Sequence, residues 1–350
     1  MLPSPTFVIQ SEPSCSKCII EIRHALALGT AEERALSGMP AHMARALDGS
    51  IYIIDQVTRL PRVYDTEGRF VRSLGRKGDG PGEYQDASAI LIGSDGRVHI
   101  LDLRLNRRTI LSPTGEVIAT LPLGSGAPMM ASAALLPNNG IVTNRILLDA
   151  EGAGFAFQEM DATGKRVRLF SEGAFDINWL YDIQRLLFVR KNGELWTARP
   201  YSYVLELYTE HRALQRTYER AADWFKPLAR GENESGGFFD RPPTPNMRAI
   251  WEDDAGVLWT ATIVTSVSWT PGPTIAAWRA AGRPPSSPPQ ERWDTILEAI
   301  DPTTGALLAG TRVGAFVVHD LFDGYLASYR EASDGTPAVD VWQVRLRTRQ

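Results

Sequence analysis

Residues 48–73 read DGSIYIIDQVTRLPRVYDTEGRFVRS, which is two tight turns, each followed by short strand-like runs. Aspartate and glycine favour the turns, and the runs after them are rich in β-branched and aromatic residues, which favour strands. The same combination of turn and strand returns at Asp95-Gly96, Asn192-Gly193, Ala255-Gly256 and Asp323-Gly324. The chain is therefore predicted to consist of repeated β-hairpins.

A second set of turns gives the period of the repeat. These turns are DTEGR at 65–69, SPTGE at 112–116 and DATGK at 161–165, so their glycines follow one another at intervals of 47 and 49 residues. Four short strands and two tight turns with a period in the forties are typical of one β-propeller blade. We predict an all-β fold, a six-bladed β-propeller of four-stranded antiparallel blades.

The strand count predicts how the ring closes. The C-terminal repeat has only three strands, and CIIEIRHALAL at 18–28 is a strand without a partner of its own. We predict that 18–28 completes the last blade by pairing with the strand around 339–347, which would leave no open edge between the termini. Residues 1–17 are then an N-terminal tail, and 18–350 form a single domain.

The four predicted strands of each blade are labelled a to d in the order in which they follow one another. The long connections all join strand b to strand c of one blade, or strand d of one blade to strand a of the next. They cover 75–85, 171–184, 221–245 and a proline-rich insertion at about 265–292, whose polar part is expected to be extended and mobile. In an up-and-down propeller these two connection types share one face, so we expect any ligand to bind there. The candidate ligand-binding residues are Arg76, Lys77, Asp79, Glu83, Trp179 and Tyr181. A purely structural crossover at 75–85 and an aromatic cap over the ring are the alternatives.

Composition excludes some classes of protein. The chain has 350 residues, with 37 basic and 41 acidic side chains, and this near-balance argues against nucleic-acid binding. No run of 18 apolar residues occurs, so we predict no membrane span. We expect a monomer.

The two cysteines, Cys15 and Cys18, form the only CxxC motif. Ile19 stands where a haem attachment site needs histidine, and no second ligand pair completes a zinc site. A local disulfide and two unreactive thiols both remain possible. None of the five histidines has metal-site spacing, so we predict no cofactor.

The series from DGSIYIID to GRKGDGPGEY resembles bacterial NHL-type repeats, and nearly the whole chain is similar to a largely uncharacterised family of bacterial six-bladed β-propellers. The opening CSKCIIEIRHALALG and the closing DGTPAVDVWQVRLR carry the same resemblance. It implies a periplasmic or extracellular location, although no signal peptide is visible in this sequence. It supplies no catalytic residues.

Two classes of function follow. The first is a non-enzymatic binding or interaction propeller, whose partner is a protein, a peptide or a small molecule. The alternative is a propeller enzyme, lactonase- or lyase-like, with calcium or zinc in the central channel. The polar residues that end predicted strands are Asp55, Asp102, Asn144 and Asp320. They do not occupy one equivalent position in each blade, which favours binding over catalysis.

Overall fold

The computed structural model describes residues 4–29, 36–124, 126, 127, 129–147, 155–171, 180–229, 240–274, 277, 280 and 288–349. In chain order the strands are β1 Thr6–Ile9, β2 Cys18–Leu28, β3 Pro40–Arg45, β4 Ile51–Asp55, β5 Pro61–Tyr64, β6 Phe70–Ser73, β7 Arg76–Lys77, β8 Glu83–Tyr84, β9 Ala87–Ile92, β10 Val98–Asp102, β11 Arg107–Leu111, β12 Val117–Pro122, β13 Met130–Leu135, β14 Ile141–Arg145, β15 Phe157–Met160, β16 Arg166–Phe170, β17 Leu186–Val189, β18 Leu195–Arg199, β19 Val204–Tyr208, β20 Leu214–Arg220, β21 Asn246–Glu252, β22 Leu258–Thr265, β23 Trp293–Ile300, β24 Leu307–Val313, β25 Phe316–Asp320, β26 Tyr325–Glu331 and β27 Pro337–Thr348. Among the elements that the structure describes in full, the one-turn helices α1 Leu180–Ile183 and α2 Pro289–Arg292 lie in the connections.

Six antiparallel sheets form a ring of six blades, as predicted. Blade one is β3–β6, blade two β9–β12, blade three β13–β16, blade four β17–β20, blade five β21–β24 and blade six β25–β27 with β2. In each blade the strands are labelled a to d from the central channel outward.

The N-terminal strand closes the ring. β2 pairs antiparallel with β27 from Cys18 opposite Thr348 to Leu28 opposite Val339, so the predicted closure is confirmed. Cys15 and Cys18 form a disulfide at the start of this strand, with their Cα atoms 5.3 Å apart. An early strand and the last strand of the chain therefore lie in the same blade.

Residues ahead of β2 are also ordered against the ring, where the sequence suggested a tail. β1 pairs in parallel with β20 as a fifth strand of blade four, and Phe7 stacks on Tyr218 with the ring centroids 5.1 Å apart. Ser14 then donates both its backbone N–H and its hydroxyl to the Leu307 carbonyl of blade five. An outer strand has unpaired backbone groups, and β1 satisfies those of blade four.

The core lies between neighbouring blades because alternate residues of each strand point to opposite faces of its sheet. In β4, Ile51 and Ile53 pack with residues of blade six, whereas Tyr52 and Ile54 pack with residues of blade two. In blade five, Trp251 and Trp259 stack in parallel with centroids 5.6 Å apart.

The glycine of the second turn is required by packing as well as by backbone angle. Gly68 has a φ of +82°, and a Cβ atom there would lie 2.4 Å from the carbonyl oxygen of Ala27. Asp65 completes the turn, since its Oδ1 accepts the backbone N–H groups of Glu67 and Arg69. The repeated turns therefore set both the hairpin geometry and the approach of neighbouring blades.

Candidate functional site

The connections between strands b and c, and those that lead from one blade to the next, meet on one face of the ring. This face is called the loop face here. A cavity of about 410 Å³ opens on it and is lined by Arg59 from the first connection type and by Asp86 and Met129 from the second. Arg59 Nε lies 3.5 Å from Asp86 Oδ1. The cavity shares Ala41 and Gln184 with a second cavity that lies in the central channel.

The loop at 75–85 folds on itself at the outer rim of the loop face. β7 pairs with β8, Arg76 Nε lies 2.7 Å from Glu83 Oε1, and the Lys77 ammonium donates to the Gln85 carbonyl. Asp79 Oδ1 accepts a hydrogen bond from the Gln85 side chain. These contacts join four of the six predicted site residues into one local structure.

Arg107 holds this rim loop in place, and the close packing at Gly75 requires a glycine there. The Arg107 guanidinium donates to the carbonyl oxygens of Asp79, Gly80 and Glu83 at 2.7 Å each. The backbone N–H of Gly80 and the Arg76 guanidinium lower the pKa of Glu83. A Cβ atom at Gly75 would lie 2.0 Å from the Gly82 carbonyl oxygen. The rim residues do not line the channel cavity, and their part in ligand binding stays a prediction.

Among the predicted site residues that the structure describes, Tyr181 contacts a residue of the channel lining. Its ring meets that of Tyr201 edge to face, with centroids 4.9 Å apart, and Tyr201 lines the channel cavity. Tyr181 is held on α1, which leads into strand a of blade four. Trp179 lies outside the described residues, as do Phe238, Phe239 and Trp278 of the predicted aromatic cap.

The channel cavity has a volume of about 250 Å³ and is lined by strands a of all six blades. Its polar lining side chains are His42, Ser132, Gln184, Arg185, Asn246, Arg248, His319 and Asp320, together with Tyr201 at the loop face. Most of these residues, including His42, Arg248 and His319, stand on paired strands, so the ring fixes their positions.

Two imidazoles face each other in this cavity. The rings of His42 and His319 have centroids 5.3 Å apart. His42 Nδ1 accepts the backbone N–H of Ile90 in blade two, and backbone hydrogen bonds of Pro40 and Ala41 in blade one act on His319. Each ring therefore joins the inner strands of two blades.

Burial keeps both imidazoles neutral near pH 7. Burial lowers the pKa of His42 to about 4. Burial, together with the nearby His42 and the Arg248 guanidinium, holds the pKa of His319 well below its usual value. The pKa of Asp320 moves the other way, because burial disfavours its carboxylate and raises that pKa to about 7.

Three of the four polar strand ends considered for a channel metal, Asp55, Asp102 and Asn144, have structural partners instead, whereas Asp320 lines the channel cavity. Asp55 accepts the backbone N–H groups of Val57 and Thr58 with one oxygen and that of Ser37 with the other. Asp102 does the same for Gln85, Asp86 and Leu105. In blade three, Asn144 accepts from Arg185 N–H and donates to the carbonyls of Ala156 and Ile183. Across the part of the chain that the structure describes, no three His, Cys, Asp or Glu side chains are grouped to hold a metal ion.

Comparison with known proteins agrees with this architecture. Residues 12–111 match a protein family described as "6-bladed beta-propeller". The chain is a six-bladed β-propeller. The resemblance to bacterial propeller proteins is confirmed, and no curated protein matches the chain in sequence.

Several solved structures share the fold at low sequence identity. A Bacteroides fragilis protein with the name "Putative exported protein" is 10% identical to this chain. The match covers 99% of this chain and 100% of that protein, with a TM-score of 0.64. A member of the DUF4221 family from Bacteroides vulgatus is 11% identical over 94% of this chain and 99% of its own, with a TM-score of 0.63. Virginiamycin B lyase from Staphylococcus aureus, solved with quinupristin, is 10% identical over 93% and 99%, with a TM-score of 0.51. These similarities show the fold alone.

Sequence reasoning named Asp320 but missed His42, Arg248 and His319, which the structure brings to the same cavity. His42 and His319 are 277 residues apart, and the three residues form no linear motif. The signal that could have found them is their place in strand a of blades one, six and five, because every strand a lines the channel.

No helix within the described ranges is long and apolar enough to cross a membrane.

Proposed function

We propose that this protein is a non-catalytic binding propeller that holds a small polar molecule in its central channel, reached from the loop face. The observation that carries this proposal is the cavity of about 250 Å³ whose lining combines imidazole, guanidinium, amide and hydroxyl groups. Ligand sites are concave, largely preformed and fitted with a few convergent polar groups, and this cavity has those properties.

The neighbouring cavity of about 410 Å³ supports entry from the loop face. Its lining shares residues with the channel cavity, and Tyr201 carries the lining of the channel toward Tyr181. We propose Tyr181 and Trp179, two residues before it in sequence, as the predicted site residues that contact an entering ligand. The contribution of Arg76, Lys77, Asp79 and Glu83 to binding stays a prediction, since their polar groups already pair within the rim loop.

The metal-dependent enzyme alternative lacks comparable support. The side-chain oxygens of Asp55, Asp102 and Asn144 accept hydrogen bonds from backbone N–H groups. Asp320 is the one carboxyl group in the described lining of the channel cavity. A binding function requires only the preformed lining, and for that reason we favour it.

We also propose that the protein acts outside the cytoplasm as a monomer. A disulfide between Cys15 and Cys18 is expected where thiols are oxidised, and one protein of similar fold is named as exported. Alkylation of thiols in freshly lysed cells tests the location, and light scattering after size exclusion tests the monomer. Fully alkylated cysteines would contradict the first proposal, and a stable dimer the second.

The binding proposal is tested by filling the cavity. A library of small polar molecules is screened by the rise in melting temperature of the full chain, and the compounds that raise it are titrated against Ala41→Phe and Ala255→Phe. Ala41 lines both cavities, whereas Ala255 is exposed in a turn on the opposite face, so the two changes add the same ring at different places.

We expect Ala41→Phe to abolish binding of these compounds and Ala255→Phe to leave their affinity unchanged. Ser132→Leu narrows the same cavity and serves if Ala41→Phe lowers the yield of folded protein. Compounds that bind both channel variants as tightly as the parent chain would contradict the proposal. Turnover of a bound compound would favour the enzyme alternative.

A further inference from the structure

A cavity between blades five and six lies apart from the central channel, and it is called the interblade pocket here. Its volume is about 350 Å³, and its described lining shares no residue with that of the channel cavity. Its floor consists of four buried side chains, Leu297 of blade five and Val317, Leu326 and Val344 of blade six. These side chains belong to the hydrophobic core between the two blades. The pocket is therefore an unfilled part of that core.

The described lining of the interblade pocket is apolar throughout. Ile22 and Trp342 stand on the two outer strands of blade six, and both are partly exposed. The Trp342 indole N–H donates to the Ser328 hydroxyl at 2.8 Å, and the His24 ring meets the indole edge to face with centroids 5.1 Å apart. The polar group of the indole is thus already bonded, which leaves its ring for apolar contact.

Gly314 keeps the pocket open at the connection between β24 and β25. It is exposed, and its φ lies outside the left-handed region that favours glycine. A Cβ atom there would meet no heavy atom within 4 Å. Neither the backbone angle nor the packing therefore requires a glycine at this position. Because Gly314 lines the pocket, a larger side chain there would narrow it, whereas a glycine allows a ligand to approach the backbone closely.

An empty apolar gap of this size would be unfavourable. Protein interiors are close-packed, and a void forfeits dispersion contacts of the side chains around it. Water fills such a gap poorly, because an apolar lining offers it no hydrogen-bond partners. An apolar molecule would restore the contacts and remove apolar surface from water. Since a protein cavity of about 150 Å³ holds benzene, about 350 Å³ accommodates roughly fourteen non-hydrogen atoms.

We propose that the interblade pocket binds an uncharged apolar molecule of up to roughly fourteen non-hydrogen atoms, which packs against Trp342. The site is separate from the channel, so this inference goes beyond the proposed function and is tested independently of it. A fused aromatic ring system and a short hydrocarbon chain share the required chemistry, and the experiment distinguishes them.

The experiment measures three uncharged probes of similar size on the full chain by calorimetric titration. The probe 2-naphthol has fused aromatic rings, 1-decanol has a flexible hydrocarbon chain, and glucose is polar. The proteins are the parent chain, Gly314→Leu, Ala255→Leu and Ala41→Phe. Gly314→Leu narrows the interblade pocket, Ala255→Leu adds a leucine at an exposed turn on the face opposite the loop face, and Ala41→Phe narrows the channel.

We expect at least one apolar probe to bind the parent chain at least tenfold more tightly than glucose. Gly314→Leu should weaken that binding at least tenfold, whereas Ala255→Leu and Ala41→Phe should leave it unchanged. The tighter of the two apolar probes shows whether the pocket prefers a ring system or a chain. Ala315→Leu narrows the same pocket and serves if Gly314→Leu lowers the yield of folded protein.

Fluorescence tests the contact with Trp342. Binding of an apolar probe should change the tryptophan emission of the parent chain, and Trp342→Phe should remove most of that change, because the indole lines the pocket. A melting curve of each variant shows that the ring is intact. The same change of emission in Trp342→Phe and in the parent chain would contradict a ligand packed against Trp342.

Four results would overturn the proposal of an apolar ligand. Glucose that binds as tightly as the apolar probes would remove the preference for apolar molecules. Apolar probes that bind Gly314→Leu and Ala315→Leu as tightly as the parent chain are bound elsewhere. Absence of binding by both apolar probes would exclude the proposed chemistry, and a dimer of the parent chain that Gly314→Leu converts to a monomer would assign the pocket to a second copy. None of these results decides channel binding, which the library screen tests.

Discussion

Replacing Glu298 with leucine should destabilise the ring strongly, because it breaks a buried ion pair between two blades. Arg220 of blade four and Glu298 of blade five lie 2.8 Å apart, with side chains only 3% and 2% exposed. The Tyr203 hydroxyl donates to the same carboxylate and also contacts the Thr260 hydroxyl. Glu298→Leu would leave the Arg220 guanidinium buried without its carboxylate.

The magnitude follows from burial. Removing one partner of a buried pair costs about 3–5 kcal/mol, since the other charge stays desolvated. The entropy of unfolding is about 2.1 cal/mol/K per residue, or roughly 0.7 kcal/mol/K for 350 residues. Glu298→Leu should therefore lower the melting temperature by about 4–7 °C.

The assay is thermal unfolding of the parent chain, Glu298→Leu and the double variant Arg220→Met with Glu298→Leu. The double variant removes both charges and should recover most of the loss. Asp254→Ala is the control, because Asp254 pairs with Lys191 at 2.7 Å but on the exposed surface, and we expect no measurable change there. Equal effects of Glu298→Leu and Asp254→Ala, or a double variant less stable than the single one, would refute the reasoning.

Three further predictions concern the ends and the insertion. Deleting 18–28 should prevent cooperative folding, seen as loss of the thermal transition, because β27 would keep β26 but lose its partner on the outer side of blade six; a normal transition would show that the ring closes otherwise. Changing Cys15 and Cys18 together to serine should shift the melting temperature only slightly, because the disulfide closes a very short loop; a large drop would show a greater structural role. Deleting 281–287 should leave the melting temperature nearly unchanged, whereas deleting 281–290 should lower it, because the Gln290 side chain forms hydrogen bonds with the backbone N–H and carbonyl of Glu331. Equal melting temperatures of the two deletion variants would contradict this prediction.

The architecture was predictable because the turn residues that define each blade recur along the sequence at a regular spacing. Turns such as Asp48-Gly49 and Asp65-Gly68 need residues with particular backbone angles, and they recur at the blade period. Closure by 18–28 followed from counting strands. Pairing of β1 with blade four did not, because four residues, Thr6–Ile9, carry too little pattern to name a partner more than 200 residues away.

The candidate site was only partly predictable. The loop face was predicted from the connection classes, and the role of Tyr181 in ligand binding stays a prediction. The rim residues Arg76 and Glu83 drew attention because charge and glycine are conspicuous in sequence, yet their contacts are with each other. Arg248 and His319 were inconspicuous because the channel is assembled from one short strand per blade. Their shared environment, including the raised pKa of Asp320, depends on the closed ring.

Methyl resonances of the methionines test channel binding most directly. Met43 and Met247 line the channel cavity, Met129 and Met130 line the cavity that opens on the loop face, and Met160 is buried between blades two and three. The chain labelled at methionine methyl groups is titrated with the tightest-binding compound from the library. The methyl resonances of Met43 and Met247 are expected to shift in a saturable way, with the affinity of that compound for the parent chain, while that of Met160 stays fixed. Saturable binding that leaves Met43 and Met247 unchanged would contradict a ligand site in the channel.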